Sequence, residues 1–415
     1  MEGRPITGPS VGARGARLRL GRRGRSGPWA VLLGAALLLV TACGGGDEAD
    51  GDKNGGKPSK PPVPNAVVTI SPKDGTHSVD TTGALKVAAS GGKLTGVTVR
   101  DAKGHPVDGT LAGDGKTWSP SGHLTSNTTY TVQASAKNSE GRATSSKSTF
   151  TTLKPKNTFV GIFTPEDGSK VGVGMPFSLH FTRGITHPED VQKGIRITTD
   201  PEVPVKGHWF GNDRLDFRPE HYWKPGTKVT ATLDLDGVKG RPGVYGTQTK
   251  SVTFTIGRTQ ISTVDAKKHM MSVERDGKVI RKVPITAGGT GHTTYNGQMV
   301  ISEKYHITRM DGRTVGFGGE YDIKDVPHAM RLSTSGTFIH GNYWAGGAFG
   351  NYNASHGCVG LRDVKGAWSK KTPAAWFYDN SLIGDVVIVK NSKDTQIQPD
   401  NGLNGWNMSW ADWTK

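Results

Sequence analysis

The sequence predicts a mostly-β protein in which two β-sandwich modules precede a third, β-rich domain that contains one short helix. Three observations lead to this fold class. Apolar and polar residues alternate with period two in many short segments, 59 glycines and 23 prolines punctuate the chain, and one stretch is repeated. Period-two alternation indicates half-buried strands, and frequent Gly and Pro turns are typical of all-β proteins.

The first 42 residues have the composition of an export signal. Seven arginines and one glutamate precede an apolar run from Trp29 to Ala42. This run is shorter than the ~20 residues of a membrane-spanning helix and fits the apolar core of a signal peptide. It ends in Val-Thr-Ala-Cys, which resembles a bacterial lipoprotein signal with Cys43 as the lipidated first residue of the mature chain. An ordinary cleaved signal with a coincidental cysteine is the alternative.

Residues 43–64 combine Gly, Pro and charged residues without apolar periodicity, which predicts a flexible tether. Removal of the signal lowers the formal net charge from +16 to +10. A basic surface outside the cytoplasm favours anionic wall polymers or lipid headgroups as partners, or it simply keeps the protein soluble. We therefore expect a monomeric, extracytoplasmic protein that a lipid holds at the cell membrane, facing the cell wall, with no nucleic acid partner.

The two sandwich modules are predicted from an internal repeat. The sequence SPKDG at Ser71 is echoed by TPEDG at Thr164, and the stretch that starts at Trp118 is echoed by the stretch that starts at Phe217. Modules of this size with Gly, Pro and Asp turns fit immunoglobulin-like sandwiches, which we place at 65–154 and 155–258. The alternating strand residues are Leu85/Val87/Ala89, Tyr130/Val132/Ala134, Phe177/Leu179/Phe181, Val229/Ala231/Leu233 and Val252/Phe254/Ile256. The modules are expected to act as a spacer or a docking surface.

The third domain is predicted at 259–390. Asp276-Gly277 lies between two alternating segments and predicts a tight β-hairpin. Further strands are expected at 299–303, 336–340 and 384–390, and in the second of these Phe338 and His340 share one face. Residues 363–380 form the one stretch that could be helical, with a break near Pro373.

Cys358 lies in a polar, glycine-rich loop that begins at His340. If Cys43 is lipidated, Cys358 has no partner in the chain, which indicates an intermolecular disulfide or a reactive thiol. An imidazole can take the proton of a thiol, and backbone amides in a glycine-rich loop can hold an oxyanion. A core cysteine and a Cys/His metal site are the alternatives, but polar neighbours disfavour the first and too few ligands disfavour the second. We expect a nucleophilic cysteine, with no metal and no cofactor.

His340, fourteen intervening residues and then Ser355-His356-Gly357-Cys358 form a pattern that resembles the active-site signature of the L,D-transpeptidases, the YkuD-domain family of peptidoglycan enzymes. The resemblance covers 259–390 and includes TTYNGQMVI, STSGTFIHG and WFYDNSLIGDVVIV. Two sandwich modules and this domain on a lipoprotein anchor are similar to the actinobacterial members of the family.

The resemblance implies an acyltransferase that cross-links peptidoglycan stem peptides in cell wall biogenesis and the upkeep of cell shape. Cys358 would attack a donor tetrapeptide and release D-alanine, and an acceptor amine would then attack the thioester to form a 3→3 cross-link. His340 would be the base, oriented by the backbone carbonyl of Gly341. Inhibition by carbapenem β-lactams through acylation of the same cysteine is also implied.

The family also implies roles for the residues around the cysteine. Tyr321 would lie on a lid and complete the oxyanion hole with the amides of Gly357 and Cys358. The residues expected to contact substrate or shape its loop are Tyr321, Ser335, Gly336, Ser355, His356, Gly357 and Gly360. Gly360 departs from the asparagine that is common in the family, so an amide contact there is lost or comes from Asn351, Asn353 or Arg362.

Other interpretations remain open at this level. The same site could act as an L,D-carboxypeptidase with water as the second nucleophile, or it could be vestigial in a non-catalytic wall-binding lipoprotein. Residues 391–415 form a Trp-rich C-terminal extension. Its three tryptophans, Trp406, Trp410 and Trp413, are expected to pack onto the body of the protein, with a sugar-stacking surface as the alternative.

The lipoprotein interpretation predicts the effect of Cys43→Ala. Lipidation precedes signal cleavage in this class, so the variant should accumulate as an unprocessed precursor, as should the wild type treated with globomycin. Immunoblotting of the precursor and mature bands measures this. Normal maturation of Cys43→Ala would contradict the interpretation.

Overall fold

The computed structural model describes residues 63–316 and 318–415. The predicted signal peptide, Cys43 and almost the whole predicted tether lie outside these residues. The described part is mostly β-strand, which confirms the predicted fold class. Within the same ranges, no helix is long and apolar enough to cross a membrane.

The first module is a sandwich of seven strands. They are β1 (Val67–Ser71), β2 (Lys86–Ser90), β3 (Lys93–Asp101), β4 (Gly109–Leu111), β5 (Thr117–Pro120), β6 (Thr129–Lys137) and β7 (Ala143–Thr151). One sheet has the order β1-β2-β5-β4 and the other β3-β6-β7. The alternating residues that face inward form one apolar core, which includes Val87 and Val132.

The second module contains eleven strands and one short helix. They are β8 (Asn157–Phe159), β9 (Gly161–Thr164), β10 (Lys170–Val171), β11 (Phe177–Phe181), α1 (Pro188–Lys193), β12 (Ile195–Asp200), β13 (Lys206–Phe210), β14 (Arg214–Arg218), β15 (Lys228–Asp234), β16 (Lys239–Arg241), β17 (Val244–Gly246) and β18 (Thr249–Ile256). The sheets have the orders β10-β18-β15-β12, β13-β14-β11-β9 and β16-β17-β8. Every residue of the five predicted alternating sets is buried in one of the two modules.

The third domain is built on a single nine-stranded sheet and the helix α2 (Pro373–Asn380). Its strands are β19 (Gln260–Asp265), β20 (Met270–Arg275), β21 (Lys278–Thr286), β22 (Gly297–Val300), β23 (Glu303–Asp311), β24 (Asp322–Arg331), β25 (Phe338–Asn342), β26 (Val359–Arg362) and β27 (Val386–Lys390). Their order is β22-β27-β19-β20-β21-β26-β25-β24-β23. The predicted hairpin is confirmed, because Asp276 and Gly277 join β20 to β21 with φ angles of 49° and 78°.

Three predicted elements have different bounds in the structure. The predicted strand 299–303 is wrong, because β22 ends at Val300 and β23 begins at Glu303. Between them the Ile301 amide donates to the backbone carbonyl of Asp385, whereas the Ser302 amide donates to that of Arg331 on a different strand. The strand predicted at 336–340 starts in the structure at Phe338, two residues after the predicted start, because Gly336 has a φ of 94° and lies in a turn. Only the second half of 363–380 is α-helical; α2 starts at Pro373, where the Thr372 hydroxyl caps the helix.

The C-terminal extension lies between the second module and the nine-stranded sheet. It contains a short helix, α3 (Trp410–Trp413). The guanidinium of Arg218 lies 4.7, 5.4 and 4.2 Å from the ring centroids of Trp406, Trp410 and Trp413. Burial lowers the pKa of Arg218 to about 10. The indole nitrogens of Trp406 and Trp413 donate to backbone carbonyls of the second module, which confirms that these two tryptophans pack onto the body.

This packing predicts a large stability cost for Trp413→Ala. Trp413 is 1% exposed, and its removal leaves a cavity and uncovers the Arg218 guanidinium. The free energy of unfolding should fall by about 3–5 kcal/mol, as for other buried tryptophans. Chemical denaturation measures this, with Trp368→Ala as the matched control, because Trp368 is 77% exposed and should change stability by less than about 0.5 kcal/mol. Equal effects of the two variants would contradict the described packing.

Candidate active site

The cysteine and the histidine singled out in the sequence are brought together by two adjacent parallel strands. β25 pairs with β26 so that Ile339 lies opposite Val359 and His340 opposite Gly360. Cys358 immediately precedes β26, and the same register places it beside Phe338. Because alternate residues of a strand share a face, this register puts Cys358 on the face that carries His340.

His340 is held in one orientation by its own backbone. Its side chain is 4% exposed, and Nδ1 lies 2.7 Å from the carbonyl oxygen of Gly341. A carbonyl can only accept a hydrogen bond, so Nδ1 carries the proton and Nε2 of the neutral ring is free to act as a base. Burial lowers the pKa of His340, and the Gly341 hydrogen bond and the charge of Asp363 oppose this shift.

Cys358 is 8% exposed, and its thiol donates to the carbonyl of Gly336 at 3.6 Å. Burial raises the pKa of Cys358 to about 11, and the backbone amide of Phe338 partly opposes this shift. With the imidazole pKa lowered and the thiol pKa raised, both groups are neutral in the resting site. The hydroxyl of Ser355 donates to the Cys358 carbonyl at 2.5 Å and so closes the loop before the cysteine.

The connection between β23 and β24, which we call the hairpin tip, covers the cysteine. Tyr321 is its last residue. It immediately precedes β24, after a 3₁₀ turn at Gly312–Val315, and it packs against the apolar cluster that contains Cys358 and Phe338. Burial raises the pKa of Tyr321 to about 12, and the neighbouring Cys358, Asp311 and Glu320 add to this shift. Tyr321 is therefore a neutral hydroxyl donor beside the thiol.

Ser335 and Gly336 form the turn that faces the thiol. The Ser335 amide donates to Asn401 Oδ1 at 3.0 Å, and Asn401 Nδ2 donates to the Ser335 hydroxyl at 2.8 Å. A side chain at Gly336 would lie within 2.5 Å of Val315 on the hairpin tip. The C-terminal extension and the hairpin thus both position the turn that accepts the thiol hydrogen bond.

The loop before the cysteine carries His356 and Gly357. Gly357 has a φ of 102°, a conformation that disfavours any side chain, and it turns the chain into Cys358. The ring of His356 lies 5.2 Å from the ring of Tyr321. The His356 side chain therefore packs from its loop against the hairpin tip. His340, by contrast, lies within strand β25.

Gly360 occupies a tight position opposite His340. A Cβ atom there would lie 2.9 Å from Thr286 Cγ2 and 3.2 Å from Asn342 Nδ2, so a larger residue requires its neighbours to move. Asn353, one of the residues suggested as a substitute amide, donates to Ala266 and accepts from Ala287. Asn342, which the sequence reasoning did not single out, lies beside Gly360.

Asp363 is a buried residue near the site that the sequence reasoning missed. It accepts a hydrogen bond from His328 Nδ1 at 2.7 Å and from the Thr372 hydroxyl at 2.8 Å. A Cβ atom at Gly341 would lie 2.0 Å from Asp363 Oδ2, so only glycine fits at the carbonyl that orients His340. No local signal marked Asp363, because it stands beside the charged residues Arg362 and Lys365 in the sequence.

Comparisons with known proteins match both the modules and the third domain. The model of the L,D-transpeptidase catalytic domain (YkuD) matches residues 259–389, and the bacterial Ig domain model matches 76–239. L,D-transpeptidase 2 of Mycobacterium tuberculosis is 33% identical over 419 residues, which cover 98% of each chain. L,D-transpeptidase 5 of the same organism is 30% identical over 361 residues, which cover 85% of this chain and 77% of that protein. A solved L,D-transpeptidase in complex with imipenem is 27% identical, with a TM-score of 0.47 over 57% of this chain and 100% of that chain.

The fold and the full-length similarity define an enzyme of cell wall transpeptidation. The chain belongs to the L,D-transpeptidase family, with a YkuD catalytic domain that follows a region matched by the bacterial Ig domain.

The raised pKa of Cys358 predicts the pH dependence of thiol alkylation. With a pKa of about 11, only about one thiol in 10⁴ is ionised at pH 7, and raising the pH increases that fraction. Because only the thiolate reacts, iodoacetamide alkylation should rise about tenfold per pH unit between pH 7 and 10. Mass spectrometry measures the rate, with Cys358→Ala as the background. An alkylation rate that reaches a plateau below pH 8 would show that Cys358 is already a thiolate at rest, which would contradict a neutral thiol and imidazole.

Proposed function

We propose that the protein is a peptidoglycan L,D-transpeptidase that forms 3→3 cross-links through a thioester on Cys358. The observation that carries this proposal is the pairing of β25 with β26, which sets Cys358 and His340 on one face. The 33% identity to L,D-transpeptidase 2 over nearly the full length supports it.

In the first step the Cys358 thiol gives its proton to Nε2 of His340 as Sγ attacks the carbonyl carbon of the third residue of a donor tetrapeptide. The resting site is neutral, so this transfer takes place when the substrate is bound and its carbonyl can accept the developing charge. Collapse of the tetrahedral intermediate breaks the C–N bond. His340 returns the proton to the leaving amine, D-alanine departs, and a thioester remains.

The oxyanion is stabilised by hydrogen-bond donors around the cysteine. We assign this role to the backbone amides of Gly357 and Cys358 and to the Tyr321 hydroxyl. Tyr321 suits the role because its raised pKa keeps it protonated, and such a donor contributes about 10²–10³-fold to the rate. Ser335 and Gly336 would contact the donor stem from the opposite side.

In the second step an amine from the diaminopimelate side chain of an acceptor stem attacks the thioester. His340 takes the amine proton, the C–S bond breaks, and the proton returns to the Cys358 thiolate. The product is a peptide bond between the third residues of two stems. Acylation of the same thiol by a carbapenem would inhibit the enzyme, in line with the imipenem complex of the solved family member.

We further propose that the enzyme works outside the cytoplasm, with a lipid on Cys43 and residues 43–64 as a spacer. The sequence Val40-Thr41-Ala42-Cys43 after an apolar run supports this. The basic mature chain suits an environment of anionic wall polymers.

Product analysis tests the proposed reaction. Incubation of the purified enzyme with a disaccharide-tetrapeptide should release D-alanine and yield a dimer with a 3→3 cross-link, identified by tandem mass spectrometry. Cys358→Ala should yield neither product. Release of D-alanine without dimers would identify an L,D-carboxypeptidase instead, and a folded wild type that forms no product would indicate a non-catalytic wall-binding protein.

A further inference from the structure

A second cluster of metal-ligating side chains lies beside the catalytic cysteine. Nε2 of His292 lies 3.2 Å from Oε2 of Glu320, and Nε2 of His356 lies 3.4 Å from the same oxygen. All three ligand atoms lie within 4.8 Å of one another. The imidazole rings of His292 and His356 have centroids 4.8 Å apart.

Two of the three separations between these atoms fit a tetrahedral metal ion. With zinc bond lengths of about 2.0–2.2 Å, neighbouring ligand atoms of a tetrahedral site lie about 3.3–3.5 Å apart. The two nitrogen–oxygen distances match this separation, whereas the third pair of ligand atoms is wider, at up to 4.8 Å, and has to close when an ion binds. Two imidazoles and one carboxylate leave a fourth position for water, which is the ligand set of an open zinc site.

Two of the three ligands come from loops that are tied to each other. The amide of Gly289 donates to the carbonyl of Ser355 at 2.8 Å, and the amide of His292 donates to the carbonyl of Gly289 at 3.1 Å. The loop that carries His292 is therefore fixed to the residue before His356. Binding of one ion requires the two imidazoles to move closer together, and the tie between their loops lowers the cost of this change.

The third ligand comes from the hairpin tip that covers the thiol. Glu320 directly precedes Tyr321, whose ring packs with the cluster around Cys358. An ion shared by Glu320, His292 and His356 would join the hairpin tip to the loop of the catalytic cysteine. Tyr321 would then be held over the thiol, and the substrate would have less room to enter.

We propose that His292, Glu320 and His356 form a binding site for a divalent transition metal, with Zn²⁺ as the best fit, and that the bound ion closes the hairpin tip over Cys358 and slows its acylation. The binding site stands on its own geometry, whereas the inhibition rests on the proposed nucleophilic role of Cys358.

Calorimetric titration of the full-length protein with Zn²⁺ tests the binding site. One Zn²⁺ should bind per chain, and His292→Ala and Glu320→Gln should each weaken binding at least about tenfold, since even residues that only hydrogen-bond to metal ligands contribute about 10–100-fold. His77→Ala is the matched control, an exposed histidine of the first module, and should leave the affinity unchanged. Cys358→Ala should also retain binding. Loss of binding in Cys358→Ala, or equal affinity in the wild type and Glu320→Gln, would overturn the site.

The rate of meropenem adduct formation, followed by intact mass, tests the inhibition. Saturating Zn²⁺ should slow the wild type at least about tenfold, chelation with EDTA should restore the rate, and Glu320→Gln should lose the zinc effect relative to its own metal-free rate. Zinc binding through the three ligands without any change in acylation would overturn the inhibitory role. A protein that binds Zn²⁺ as expected but never forms an adduct would contradict the proposed nucleophile and leave the metal site standing.

Discussion

The site depends on the parallel pairing of β25 with β26. Parallel strands cannot be joined by a tight turn, so the chain between His340 and Cys358 must leave the sheet and return to it. That connection contains the Gly346–Ala348 turn and the loop of Ser355, His356 and Gly357. The pairing therefore fixes the histidine within the sheet, while the cysteine enters at the end of a loop that can shape a substrate pocket.

The electrostatics of the pair follow from its burial. Both side chains lie almost wholly inside the protein, so the free energy of each charged form is raised and the neutral thiol and imidazole are favoured. The buried carboxylate of Asp363 works against this for His340, because its negative charge favours the protonated imidazole. A neutral resting thiol is expected to resist oxidation, since sulfur oxidation proceeds through the thiolate.

The sequence was sufficient for features that depend on short-range periodicity. Alternation located five strands of the two modules, and Asp276-Gly277 located a hairpin. The positions of Ile301 and Ser302 could not be predicted this way, since two different strands compete for their backbone groups. Residues brought in from far along the chain were equally hidden. Three such contacts depend on tertiary packing that leaves no local pattern in the sequence: Asn401 with Ser335, Asp363 with Gly341, and Glu320 with two histidines.

The C-terminal extension shows how the second module and the catalytic domain share an apolar core. Trp406 belongs to the apolar cluster of the second module, which also includes Val300 and Val386 of the nine-stranded sheet. Asn401, five residues earlier in the chain, holds the Ser335 turn beside the thiol. The second module therefore supports the active site through the extension, in addition to any role as a spacer.

We infer that His340 activates Cys358 as the nucleophile, and the rate and position of a meropenem adduct measure this activation. Peptide mapping should place the adduct on Cys358 in the wild type. His340→Gln should slow adduct formation by about 10²–10⁴-fold, the usual contribution of a general base, while the matched control His221→Gln, on the exposed surface of the second module, should react at the wild-type rate. An adduct on another residue, or a wild-type rate in His340→Gln, would contradict the account.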